Sequence, residues 1–131
     1  MRITSQLTGG MRFVSEVRGH EVIVDNPIES GGTDAGPTPP ELVAIALGTC
    51  VGIYAVNFCR KHDLSTEGMT VHTDWEKAQN PARIGMMSVR IIVPAGIPED
   101  KYEAFMATIR KCLVHNTLCQ MPEMSIALVT E

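Results

Sequence analysis

Hydrophobic and polar residues alternate at the start of the chain, then give way to one long apolar run. From Arg2 to Leu7 the positions Ile3, Ser5 and Leu7 share one side of an extended segment, and Gly9-Gly10 turns it into Met11–Val17. Arg18-Gly19-His20 turns the chain again into His20–Asp25, where Val22 and Val24 alternate with Glu21, Ile23 and Asp25. A period of two with glycine at the turns predicts a β-meander. Asn26 to Pro40 is rich in glycine and proline and predicts an irregular loop. It precedes a helix as a phosphate loop does, but it lacks the lysine and spacing of one, so a plain loop is expected.

The next stretch has the strongest pattern. No charged residue occurs between Glu41 and Arg60, and Cys50 lies at the midpoint. Thr38 and Glu41 have the spacing of a capping box, and Pro39 falls at the first helical position, where a missing N–H does no harm. At about 100° per residue, Ala44, Gly48, Gly52 and Ala55 form a narrow stripe of small side chains on which another helix could pack closely. Cys50 lies on the opposite side, with Val43, Ala46, Tyr54 and Asn57. Leu42 to Cys59 is barely long enough to span a bilayer, and its alanines, glycines, Thr49 and Asn57 dilute its hydrophobicity. The pattern therefore predicts a buried core helix and no membrane span.

Beyond it, Met69, Val71, Thr73 and Trp75 alternate with polar residues in a predicted strand. A turn at Lys77 to Arg83 leads to a second strand, Ile84 to Val93, with Met87, Val89, Ile91 and Val93 on one face. These predict an antiparallel hairpin. Glu99 and Asp100 suit the positive end of a further helix, and Arg110 and Lys111 its negative end. Tyr102, Phe105, Met106, Ile109 and Leu113 form its apolar stripe, with Cys112 in its last turns. Met124 to Val129 is apolar and β-rich and predicts a final strand. The order of elements predicts an α+β fold with mostly antiparallel pairing in a single domain over residues 1–131.

Composition narrows the function. With 44% hydrophobic residues the chain can build a core. A net charge of −4 without a basic block argues against nucleic acid or an anionic membrane surface as partner. The N-terminal segment has no apolar run of the signal-peptide kind, which points to the cytoplasm. Four cysteines there are expected to be thiols that serve catalysis, metal binding or simple burial. For Cys59 and Cys119 burial as small hydrophobes is the expectation. Cys112, His115 and Cys119 have a spacing compatible with zinc ligands, but a closed structural site takes four and no fourth is evident, so no metal is expected.

Two motifs carry a family resemblance. P-x-E-L-x-x-x-A-L-G-x-C runs from Pro39 to Cys50, and C-x-V-H-N-T-L from Cys112 to Leu118. Together with Arg12 and Phe13 in GGMRF, the His20–Asp25 segment and the GGTDAGP loop, they resemble the OsmC/Ohr family of thiol peroxidases, in its OsmC-like branch. The resemblance covers most of the chain. It implies an OsmC-like fold in an intertwined homodimer that reduces organic hydroperoxides in oxidative stress defence, without a cofactor. Cys50 would be the reactive cysteine and Cys112 the resolving one, with a dithiol as reductant. An arginine of the N-terminal strands would stabilise the thiolate; its placement favours Arg12, with Arg18 in reserve.

The chain departs from the family pattern in two places. The better characterised peroxidases carry a glutamate ten residues before the reactive cysteine, where this chain has Pro40. Glu41 is nine before, and nine residues of helix turn through about 900°, which puts it on the face opposite Cys50. Glu41 is therefore expected to cap the helix. Many members also have proline after the second cysteine, where this chain has Leu113. Two other readings remain open at this point: a binding protein that holds a small hydrophobic molecule without turnover, and a domain whose cysteines are structural only.

Overall fold

The computed structural model describes residues 1–130 and orders them as three strands, a long helix, a strand pair and two short helices. Strands β1 (Thr4–Gly9), β2 (Arg12–Val17) and β3 (His20–Val24) form an antiparallel sheet in the order β1-β2-β3. Its register pairs Ser5 with Ser15 and Phe13 with Val24, and it shifts between Leu7 and Gly9. Helix α1 runs from Pro39 to Lys61. Strands β4 (Thr70–Ala78) and β5 (Arg83–Ile92) form a second, two-stranded antiparallel sheet. Helices α2 (Tyr102–Ile109) and α3 (Leu113–Cys119) follow. The expected α+β class and its meander and hairpin are present.

The chain clusters into two compact units. One comprises Met1–Ile45 and Trp75–Met86; the other comprises Ala46–Asp74 and the chain from Met87 onward. The first holds the meander, the glycine-rich loop and the start of α1. There the capping box is complete: the Thr38 hydroxyl and backbone N–H donate to Glu41 Oε1 at 2.7 and 3.3 Å, and the Glu41 N–H donates to Thr38 Oγ1 at 3.4 Å. Glu41 is the expected cap.

The second unit holds the core. Ala55, Phe58 and Cys59 of α1 are buried with Phe105 of α2, and the two phenyl rings meet edge to face at 5.3 Å. Such a ring pair adds to the burial of each side chain. Cys59 is wholly buried, as expected of a small hydrophobe. The helix is long and apolar enough to cross a bilayer by length and composition, and its buried positions here form the core of this unit.

Three expectations are corrected. The small stripe of α1 receives a strand where another helix was expected: a Cβ at Gly48 would strike Thr73 Oγ1, and one at Gly52 would lie 3.2 Å from Val71 Cγ2. Valine and threonine side chains of β4 fill the groove that two glycines leave. The second predicted helix is broken. It ends at Ile109, the chain bends through Arg110 to Cys112, and α3 restarts at Leu113. Leu113 and Tyr102 are consequently exposed, and only Phe105, Met106 and Ile109 of the predicted stripe pack inward. The third correction concerns Met124–Val129, which forms no strand; Met124, Ile126, Leu128 and Val129 stand exposed. A strand needs a neighbour for its N–H and C=O groups, and this segment finds none among the described residues.

Candidate active site

The bend between α2 and α3 has a chemical consequence. It makes Cys112 the N-cap of α3, where its sulfur accepts the backbone N–H of His115 at 3.4 Å. A cysteine in the last turn of one helix, as the apolar pattern suggested, becomes the first residue of the next. From there Cys112 enters an apolar cluster with Leu47 and Val51 of α1, against which Cys50, Tyr54, Val89 and Ile109 pack. Cys112 has no exposed surface, while Cys50 is half-buried.

The two cysteines are neighbours in this cluster. The Cys112 thiol is pushed up from its ordinary value of 9.0, first by burial and then by the neighbouring Cys50 thiol. Proximity adds a third effect in the same direction, because charge on Cys50 opposes a second charge beside it. The backbone N–H groups of His115 and Val114 act the other way and are outweighed. All four cysteines are free thiols. The structure thus brings together two of the predicted site residues in one apolar cluster, with one thiol buried and the other partly accessible.

The apolar wall behind the pair continues into a cavity of about 620 Å3, lined by Leu47, Val51, Val89, Phe105 and Met106 among others, with Tyr102, Arg110 and His115 as its charged or titratable members. Sequence reasoning singled out His115 only as a possible zinc ligand. Among the described residues no three His, Cys, Asp or Glu side chains converge as metal ligands. Cys119, expected to be buried, is exposed, and its sulfur lies 3.5 Å from His115 Nε2. One helical turn separates the two residues, so this contact follows from their spacing on α3.

The comparisons with known proteins bear on family and fold. The sequence matches the family model of OsmC-like protein over residues 31–127. The chain belongs to the OsmC-like family. No curated protein matches it in sequence. Among solved structures it is similar to a protein of Psychrobacter arcticus assigned to the osmotic stress and detoxification response. The two share 20% identity and a TM-score of 0.79 over 88% of this chain and 85% of that one. It is also similar to the OsmC-like protein of Mycoplasma pneumoniae, at 16% identity and a TM-score of 0.75 over 92% and 87% of the two chains. A third is the organic hydroperoxide resistance protein OsmC of Legionella pneumophila, at 17% identity and 0.66 over 92% and 90%. At these identities the likeness is one of fold.

The remaining candidate residues of this OsmC-like protein lie in its N-terminal unit. Arg12 opens β2, and its Nε donates to Thr8 Oγ1 at 3.0 Å while the Thr8 hydroxyl donates to the Arg12 carbonyl at 3.3 Å, closing the β1–β2 turn. Arg18 occupies the β2–β3 turn with a positive φ of 51°. The glycine-rich loop is organised by Asp25, a residue that sequence reasoning placed in the meander without a role of its own. Asp25 is 2% exposed. Its carboxylate accepts the Thr33 hydroxyl at 2.7 Å and the backbone N–H groups of Asn26, Thr33 and Ala35 at 2.8, 3.1 and 3.1 Å. These bonds, led by that from Thr33, hold its pKa at about 2 against the opposing effect of burial. Glycine is required where the loop lies on the strand end: a Cβ at Gly32 would strike the Asn26 carbonyl, and one at Gly36 the carbonyl of Ile23. An aspartate at the end of a β-strand followed by a glycine-rich run was the available signal for this anchor.

Proposed function

We propose that this protein is a thiol-dependent peroxidase for organic hydroperoxides, and the observation that carries the reading is the packing of half-buried Cys50 against buried Cys112 in one apolar cluster. The half-buried Cys50 attacks. Its thiolate forms an S–O bond to the peroxide while the O–O bond breaks, and the alcohol leaves with a proton. The sulfenic acid on Cys50 is then attacked by Cys112, an S–S bond forms, and water leaves. Two exchanges with an external dithiol return both thiols. The raised Cys112 pKa suits this division of labour, because the buried thiol stays protonated at neutral pH and does not compete for peroxide. The names of fold neighbours from Legionella pneumophila and Elizabethkingia anophelis, both organic hydroperoxide resistance proteins, support the same substrate class.

In this reading Arg12 supplies the cation that favours the Cys50 thiolate; only its Nε is bound to Thr8. The working form is a homodimer in the cytoplasm. Ile45 and Ile53 project from α1 at 50% and 60% exposure, two turns apart, and a second copy would cover them. Light scattering of a stable monomer at micromolar concentration would remove the dimer from the account. Arg12→Ala should slow alkylation of Cys50 near neutral pH and Arg18→Ala should leave it unchanged; equal rates for Arg12→Ala and the unaltered chain exclude Arg12.

The mutant pair tests the chemistry. Cys50→Ser should consume no hydroperoxide above background. Cys112→Ser should consume about one equivalent and stall, leaving a sulfenic acid on Cys50 that a dimedone-type probe labels. Background consumption by the unaltered chain and both variants alike would overturn the peroxidase reading.

A further inference from the structure

Closing a disulfide through Cys112 needs a base, because its surroundings hold that thiol protonated and only a thiolate attacks sulfur well. The adjoining cavity offers few. Its walls from α1 and β5 are apolar, and its titratable or charged side chains are Tyr102, Arg110 and His115. A guanidinium does not deprotonate and a phenol is a base only once it has ionised in alkali, whereas a neutral imidazole accepts a proton near neutral pH.

His115 is tied to Cys112 by position. Cys112 caps α3, and the His115 backbone N–H donates to its sulfur at 3.4 Å, so the residue that carries the ring already touches the resolving atom. The His115 side chain lines the cavity together with Leu47 and Val51, the two α1 residues that are buried with Cys112. Its two ring nitrogens are unlike. Nε2 lies 3.5 Å from the exposed Cys119 sulfur, while Nδ1 is buried with no hydrogen-bond partner. With the proton on Nε2, the ring donates to Cys119 and leaves a bare lone pair on Nδ1. The other tautomer would bury an N–H with no acceptor, the rarer defect in native interiors. A buried polar atom left unmet calls for a role, and proton transfer is one.

We propose that His115 Nδ1 is the general base of the resolving step and takes the Cys112 proton as that sulfur attacks Cys50. The S–S bond forms, the S–O bond of the sulfenic acid breaks, and the imidazolium returns the proton to the leaving hydroxide as water. Cys119 holds the ring in the tautomer that leaves Nδ1 free. The inference deepens the peroxidase reading and rests on it for the sulfenic acid that this step consumes.

A disulfide reagent tests the base without peroxide. In Cys119→Ser, which removes the exposed competing thiol and keeps a hydroxyl that can accept from Nε2, one equivalent of dipyridyl disulfide places a pyridylthio group on Cys50. Cys112 then displaces it, and acid quenching with peptide mapping times the Cys50 to Cys112 link. Adding His115→Gln should slow that link about a hundredfold near neutral pH, the usual share of a general base. The slowed rate should climb about tenfold per pH unit, as attack by the thiolate fraction requires, while the chain with His115 stays nearly flat above neutral pH. Free imidazole should restore part of the rate to His115→Ala, which a packing role would not allow. Equal rates with and without His115, a shared pH slope, a loss that imidazole does not restore, or the absence of any Cys50 to Cys112 link would each overturn the proposal. A chain that links normally but leaves hydroperoxide unreduced would sink the peroxidase reading and leave this base standing.

Discussion

Asp25 and Cys112 are both buried acids, and their surroundings drive them in opposite directions. Asp25 is met by the Thr33 hydroxyl and three backbone N–H groups, all of which donate to the charged form, and its pKa falls to about 2. Cys112 is met mainly by leucine, valine and a neighbouring thiol, and its pKa rises. Burial opposes charge at both sites, so burial alone predicts neither outcome. The number and kind of donors aimed at the atom decide it. One site uses a fixed charge to hold a loop, while the other keeps a thiol neutral.

Removing the donors' target should have the largest effect. Asp25→Ala leaves the Thr33 hydroxyl and the three N–H groups without an acceptor, and each unmet buried donor destabilises. The melting temperature should fall by several degrees or more, and protease should cut first within the loop from Asn26 to Pro37. A melting curve equal to that of the unaltered chain would reduce the Asp25 network to decoration.

The pH dependence sharpens the contrast at both ends of the scale. The Asp25 pKa is lowered from 3.8 to about 2, so its contribution to stability is complete above the unfolded value and is lost as pH falls from about 4 to 2. The stability gap between the unaltered chain and Asp25→Asn should shrink across that window in urea titrations. Cys112 has the opposite sign. Its folded pKa is raised above 9.0, so its contribution is present below pH 9 and is lost as pH climbs through the folded value. A gap to Asp25→Asn that holds constant down to pH 2 would contradict the assignment.

The smallest expected effect separates the causes at Cys112. Burial is the larger and Cys50 the smaller, so in Cys50→Ala the Cys112 thiol should titrate lower than in the unaltered chain and still above 9.0. Thiolate absorbance against pH reads this directly. An unmoved titration would mean that Cys50 does not influence the Cys112 thiol.

What the sequence made legible was local. The Thr38–Glu41 box, the alternation of Val71, Thr73 and Trp75 and the turns of the meander depend on neighbours within a few residues, and each is found where its pattern falls. The role of Asp25 was hidden because its chief partner, Thr33, is eight residues away across an irregular loop. The break at Arg110 to Cys112 was hidden for another reason. The apolar period runs unbroken from Tyr102 to Leu113, and only the packing of Cys112 against Leu47 and Val51 shows why the chain bends. Met124–Val129 has the composition of a strand, but composition does not supply a sheet edge. The two cysteines were picked out by motif; their contact is a long-range fact of the fold.

That contact is the central claim, and disulfide mapping tests it most directly. The reduced protein, treated with one equivalent of an organic hydroperoxide and then alkylated and digested, should yield a single new linked peptide joining Cys50 to Cys112, which a dithiol reverses. Cys59 should remain a thiol, because it is buried in the other core cluster. Four unlinked cysteines after peroxide, or a link that runs through Cys59 or Cys119 in place of Cys112, would contradict the account.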